Sequence, residues 1–220
     1  MKHIFDYTEN ANKDTLCNYH LQSYRLLHWM EDIISNWLCD PINIKDERLS
    51  SLLGIADMRE EDLSSLCTVG TPYTPDMKRA GATPKIIVSV GNTTYPIDTV
   101  NRTSLVNSAN GNIPYYTGFT YKSTEMKVSV YTESYDGTLL LAGLLEEFLV
   151  THAVEIASDN GALSSFEVVG ATEISEIKQG SAANAKSIYG TTINISTSGS
   201  YRWSADTQGP VYRGTTNIVK

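Results

Sequence analysis

Basic residues are in short supply. Lysine and arginine total 17 against 25 aspartates and glutamates, a formal net charge of −8 over 220 residues. A protein that grips duplex DNA by its phosphates needs a basic face, so the acidic excess argues against specific nucleic-acid binding. It does not exclude a protein that lets DNA slide past. No basic run or basic amphipathic helix marks a membrane partner. No stretch approaches the roughly 18 apolar residues of a spanning helix. Cysteine is scarce too. Cys17, Cys39 and Cys67 all lie in the first third, with no CxxC pair. An odd, unpaired set reads as reduced thiols in a cytosolic fold. The opening Met1–Asp6 lacks the apolar run of a signal peptide, which points the same way.

Catalytic signatures are missing as well. There is no GxSxG, HExxH, Walker loop or strand-borne GxGxxG. Cys17-x-x-His20, with His28 and Cys39 downstream, has zinc-ligand residue types. On one continuous helix, positions 17 and 39 lie about 33 Å apart, so one ion does not reach both. His152 and Asp159 are about 10 Å apart along a helix, too far for a triad. Adjacent Glu146 and Glu147 diverge by about 100° and make a poor glycosidase pair. Asp159-Asn160-Gly161 lacks the downstream ligands of a calcium loop and reads as a helix-ending turn. The expectation is a protein with no catalytic, metal or cofactor site.

What is present is enough apolar sequence to build a core: 41% of residues are hydrophobic and 19% charged. From Asn12 to Leu38 the positions Leu16, Leu27, Met30, Ile34 and Trp37 share one helical face, with His20. Two short helices are expected at Asp46–Leu53 and Asp57–Leu66. Residues 68–84 are punctuated by Gly70, Pro72, Pro75, Gly81 and Pro84, which predicts a linker or extended arm.

Beyond it the pattern turns to strands: 86–90, 116–121, 126–132, 166–169, 174–177 and 188–197. Residues 101–115, rich in Asn, Ser and Gly, read as a loop. Between strands lies one long helix, Thr138 to Ala157. Leu141, Leu145, Phe148, Leu149, His152 and Ile156 form one apolar face, and Leu139, Val150 and Val154 a second. Glu147, Thr151 and Glu155 form a narrow polar strip. Such a helix is buried on more than one side, so its second face must meet the N-terminal helices or a neighbouring subunit.

The expected class is therefore α+β: a small, mostly antiparallel or mixed sheet packed on a long helix, preceded by an N-terminal helical region. The division is 1–67 helical region, 68–84 linker, 85–200 α+β domain and 201–220 C-terminal arm. Tyr201, Arg202, Trp203, Tyr212 and Arg213 stand out in that arm. Aromatics and arginine anchor protein interfaces, which makes these five the candidate contact residues.

The run Met126–Leu149 (MKVSVYTESYDGTLLLAGLLEEFL), followed by Ser165–Val169 and Ile188–Ile195, resembles the tail terminator and neck proteins of tailed bacteriophages. Pro84–Val88 is similar to that family's early strand. The likeness is one of pattern and order, over a little more than half the chain. It implies a structural virion protein of the head–tail junction, assembled in the host cytoplasm and lacking enzymatic activity. Its partners would be itself as a six-copy ring, the tail tube protein and the head connector, with DNA passing through the ring and no membrane partner. The helical region of about 80 residues is longer than a minimal terminator needs. It leaves room for another neck, head-completion or baseplate role. Two other readings stay open: a β-rich carbohydrate-binding module using Tyr201 and Trp203, and a hydrolase without a recognisable motif.

Overall fold

The computed structural model describes residues 22–39, 67–73, 84–95, 102–106, 115–179 and 186–206. They form an α+β fold: a seven-stranded mixed sheet with helices on one face. The strands are β1 (Thr68–Gly70), β2 (Lys85–Thr94), β3 (Arg102–Val106), β4 (Tyr115–Thr132), β5 (Leu163–Ala171), β6 (Ser175–Gln179) and β7 (Lys186–Asp206). The helices are α1 (Ser23–Cys39), α2 (Tyr135–Thr151) and α3 (Ala153–Asn160).

The backbone of the sheet is the β4–β7 pair. It runs in unbroken antiparallel register from Tyr115–Asp206 to Thr132–Tyr189. The outer edge of β4 carries β2 at one end and β3 at the other. The outer edge of β7 carries β5 and β6. The parallel exception is β1, which pairs with β2.

Alternation sorts the two faces. Met126, Val128 and Val130 face the helices beside Ile193 and Ile195, and all five are buried. The opposite face carries Glu125, Lys127 and Ser129 beside Ser196, Asn194 and Thr192. Hydroxyl pairs tie strands there, Ser129 to Thr192 at 2.8 Å and Ser165 to Ser198 at 2.6 Å. A sheet with one apolar and one polar face is the ordinary consequence of a period of two.

In α1, Leu26, Leu27, Met30, Ile34, Trp37 and Leu38 are buried, as i, i+4 spacing requires. They belong to the same core as Ile86, Val128 and Leu145. Trp37 stacks on Phe148 of α2 with ring centroids 5.4 Å apart. Trp29 Nε1 donates to Asp159 of α3 at 3.0 Å.

The α2 start is fixed by its cap. Ser134 Oγ accepts from Gly137 N at 3.0 Å. Thr138, fully buried, lies within 3.1 Å of Tyr189 O and 2.9 Å of Thr132 Oγ1. These groups satisfy one another. The α3 end is Gly161 in the left-handed region at φ 70°, as the Asp159-Asn160-Gly161 turn predicts.

Five expectations need correction. The long helix is divided at His152, whose φ of −101° and ψ of 14° leave helical geometry. Its Nδ1 bonds Glu155 at 2.6 Å, a local contact that helical periodicity does not reveal. Residues 102–106, read as loop, form β3, because β4 offers them a full antiparallel edge. The two strands expected at 116–121 and 126–132 are one strand, since β7 pairs with the polar residues between them. Thr68–Gly70, placed in the linker, enter the sheet as β1. Residues 201–206, expected to open the C-terminal arm, continue β7. The two short helices at 46–53 and 57–66, and the first part of the N-terminal helical region, lie outside the described residues.

Candidate functional site

The chemistry of the described residues is sparse. Among them, no group of three or more His, Cys, Asp or Glu is placed to hold a metal ion. Of the zinc-type pattern, His28 is described through its side chain, and its Nδ1 lies 2.9 Å from Glu31. Cys67 is buried, and burial pushes its thiol up to about 12. A thiol held protonated in this way is a poor nucleophile. His152 pairs with Glu155, and Asp159 accepts from Trp29, so the two are engaged separately.

An open groove of about 720 Å³ lies beside the start of α1, lined in part by Tyr24, His28, Tyr73 and Val90. Tyr24 meets His28 edge-on at 4.4 Å. Its described lining offers the aromatic faces of Tyr24 and Tyr73 and one histidine, His28.

The more distinctive features are two surfaces. The first is the outer stripe of α2 and α3. Leu139, Val150 and Val154 are 57%, 56% and 82% exposed. Gly143 and Glu147 lie exposed on the same side. These are the residues whose second apolar face required cover. α1 covers the first face through Trp37 and Phe148 and leaves this one open. Residues 135–160 contain Asp136, Glu146, Glu147, Glu155 and Asp159 and no lysine or arginine. The stripe is thus apolar along its centre and acidic around it.

Gly143 has no packing reason among the described residues. A Cβ built there meets nothing within 4 Å. Glycine inside a helix costs about 1 kcal/mol relative to alanine. Gly143→Ala should therefore raise the stability of the isolated chain by about that amount, read as a higher urea midpoint at unchanged slope. A loss of stability would mean that the site is crowded.

The second is the far end of the sheet, where β4 and β7 continue in register to Tyr115–Asp206, joined by β3. Of the five predicted contact residues, Tyr201, Arg202 and Trp203 lie on it, opposite Thr120, Phe119 and Gly118. Tyr212 and Arg213 lie outside the described residues. The register also brings in residues that sequence reasoning missed. Arg102 pairs with Phe119, and Phe119 with Arg202, so the three form one cross-strand row. A strand pattern at 102–106 was the available signal, obscured by the Asn- and Gly-rich residues after it.

No protein family matches this sequence, and neither does any curated protein. The residues and their arrangement carry the functional argument.

The exposed sheet edge is an unpromising joint. Among the described residues β5 has a strand partner on one side, and it carries two irregularities, at Leu163–Ser165 and Val168–Gly170. Gly170 takes φ 143°, which kinks the strand. Bulged edges resist strand addition.

Proposed function

We propose that this protein is a structural component of the head–tail junction of a tailed bacteriophage, acting as a tail terminator. Copies of the chain close into a ring on the end of the tail tube. The ring stops further addition of tube subunits and presents a surface to the head connector. Its location is the virion, and its work is mechanical, without catalysis or a cofactor. Tyr201, Arg202, Trp203, Tyr212 and Arg213 serve as contact residues.

The observation that carries this reading is the exposed apolar stripe on a core helix, Leu139, Val150 and Val154, which marks a contact surface. A stripe that meets an unlike surface of the next copy makes a heterologous contact, and a heterologous contact whose rotation closes produces a ring. The acidic balance supports passage of DNA without capture. The strand–helix–strand order of residues 84–200 supports the resemblance to terminator and neck proteins. The finer form of that fold, a terminator sheet preceded by a docking region made of the N-terminal residues, is part of the proposal.

The test is particle mass and shape over a concentration series, by light scattering and negative-stain imaging, alone and with assembled tail tubes. Closed rings built from six 24.2 kDa chains are expected, free or at tube ends. A chain that stays monomeric in both settings would sink the proposal.

One observation favours a second reading. The groove beside α1 carries Tyr24 and Tyr73, 65% and 84% exposed, and aromatic faces of this kind stack on sugars. Saturable glycan binding by the monomer, lost in Tyr73→Ala, would move the assignment to a carbohydrate-binding module.

A further inference from the structure

We infer that residues 207–220 of one copy dock on the α2–α3 stripe of the next copy of this chain. The inference rests on the ring reading and names the joint within it.

The chemistry of the stripe defines what covers it. Leu139, Val150 and Val154 are exposed, although α2 is otherwise a core helix. Gly143 and Glu147 are exposed between them. Exposed apolar residues in line mark a contact surface. Residues 135–160 hold five carboxylates and no lysine or arginine. A second stripe is therefore a poor partner, because two acidic surfaces facing each other repel. A fitting occupant brings apolar groups together with positive charge.

One segment of this chain has that composition. Residues 207–220 carry Val211, Tyr212, Ile218 and Val219 with Arg213 and Lys220, and no aspartate or glutamate. Of the segments outside the described residues, this is the one with basic residues and no acidic one. Its charge is opposite to that of the stripe, in a chain of net charge −8. Its length fits as well. Residues 207–220 reach on the order of 45 Å when extended, and the stripe from Leu139 to Val154 is about 22 Å long. A Cβ at Gly143 meets nothing within 4 Å, so an extended backbone can approach the helix closely there.

The path of β7 selects the next copy over the same chain. α2 starts beside Tyr189, whose carbonyl accepts from Thr138 Oγ1 at 3.1 Å. α3 ends at Asn160, and Leu163 at the start of β5 pairs with Gly199. The helices thus run alongside residues 189–199 of β7. The strand then continues to Asp206, about 24 Å beyond Gly199. To cover its own stripe, the segment must retrace that distance. Doing so uses about half of its reach and leaves Val211, Tyr212 and Arg213 short of the stripe. On a neighbouring copy the whole segment is available. The contact is heterologous, as ring closure requires.

Charge reversal in the full chain tests the pairing. Arg213→Glu with Lys220→Glu should weaken association by about tenfold or more, read by light scattering over a concentration series. Glu147→Lys alone should weaken it too. Combining all three substitutions should return part of the loss. Circular dichroism and thermal melting confirm that each variant is folded, and Arg213→Gln with Lys220→Gln serves where the reversal disturbs folding. Raising the salt concentration should weaken the wild-type contact, since its charges are screened.

Cross-linking tests which copy is engaged. Chains carrying Val150→Cys and chains carrying Tyr212→Cys are mixed and mildly oxidised. A disulfide between the two introduced cysteines is expected, joining two chains and located by peptide mass spectrometry. With both substitutions in one chain, the link should still join separate chains and should fade on dilution.

Association unchanged by the charge variants, or a mixture without the link, would overturn this joint and leave the ring itself standing. A link within single chains that persists on dilution would overturn docking between copies. A wild-type chain monomeric to about 1 mM would overturn it too, since a contact that weak contributes little. The ring proposal would then be decided on tail tubes.

Discussion

Gly190→Val should cost about 3 kcal/mol of stability, and Tyr131→Ala in the same chain should return most of it. Gly190 of β7 lies directly opposite Tyr131 of β4. A Cβ at residue 190 would sit 2.6 Å from both Cδ1 and Cε1 of the tyrosine ring. Side chains do not approach that closely, so the ring must leave. Its escape is restricted by Lys85, whose Nζ lies 5.6 Å from the ring centroid in the same cross-strand row. Valine would otherwise suit a strand, so a loss measures the clash rather than a poor strand residue. The readout is the urea midpoint of the two single variants and the double. A coupling of about 3 kcal/mol, opposite in sign to the single losses, is expected. A double variant that loses the sum of the two single losses would show that Tyr131 does not crowd residue 190.

The same row shows why parts of the sheet were hidden in the sequence. Gly190 and Tyr131 are explained by each other, across 59 residues of chain. No local pattern announces such a pair. The polar middle of β4, Lys122-Ser123-Thr124-Glu125, was lost for a similar reason. Read locally it breaks two strands. Paired with Gly199, Ser198, Thr197 and Ser196, it is continuous strand, because β7 satisfies its backbone groups. Thr124 and Thr197 are buried there, and Thr197 Oγ1 donates to Thr124 O at 2.9 Å.

What was legible was legible by period. The alternation over 188–197 and the helical spacing of Met30, Ile34 and Trp37 both stand in the structure. The double-sided character of α2 was also readable, and Leu139, Val150 and Val154 form its uncovered side. The residues expected at an interface were read from composition, and the structure places Tyr201, Arg202 and Trp203 on β7. That Arg202 pairs with Phe119, and Phe119 with Arg102, becomes apparent only through strand pairing, which composition does not encode.

Ile34→Ala should destabilise the whole protein by about 2–5 kcal/mol and leave one unfolding transition. Ile34 is fully buried in α1, inside the core that includes Ile86, Val128, Leu145 and Ile193. The boundary expected at 68–84 divided the N-terminal helical region from the sheet domain. The packing gives α1 a different role. It covers the β1–β2 end of the sheet while α2 covers β4 and β7. Trp37 and Phe148 lock the two helices together, and Trp29 reaches α3 through Asp159. Removing three methyl or methylene groups at Ile34 leaves a cavity lined from both sides of that boundary. Tryptophan fluorescence reports largely on α1, through Trp29 and Trp37, whereas far-ultraviolet circular dichroism reports on helices and sheet together. The two probes should shift to the same lower urea midpoint, since elements that share a core unfold as one unit. A fluorescence shift without a matching change in circular dichroism would make α1 a separately folding element. Coincident shifts would place α1 within the structural unit that holds the stripe in position. Cover for one side of α2 would then come from α1, through Trp37 and Phe148, with Leu139, Val150 and Val154 exposed on the other.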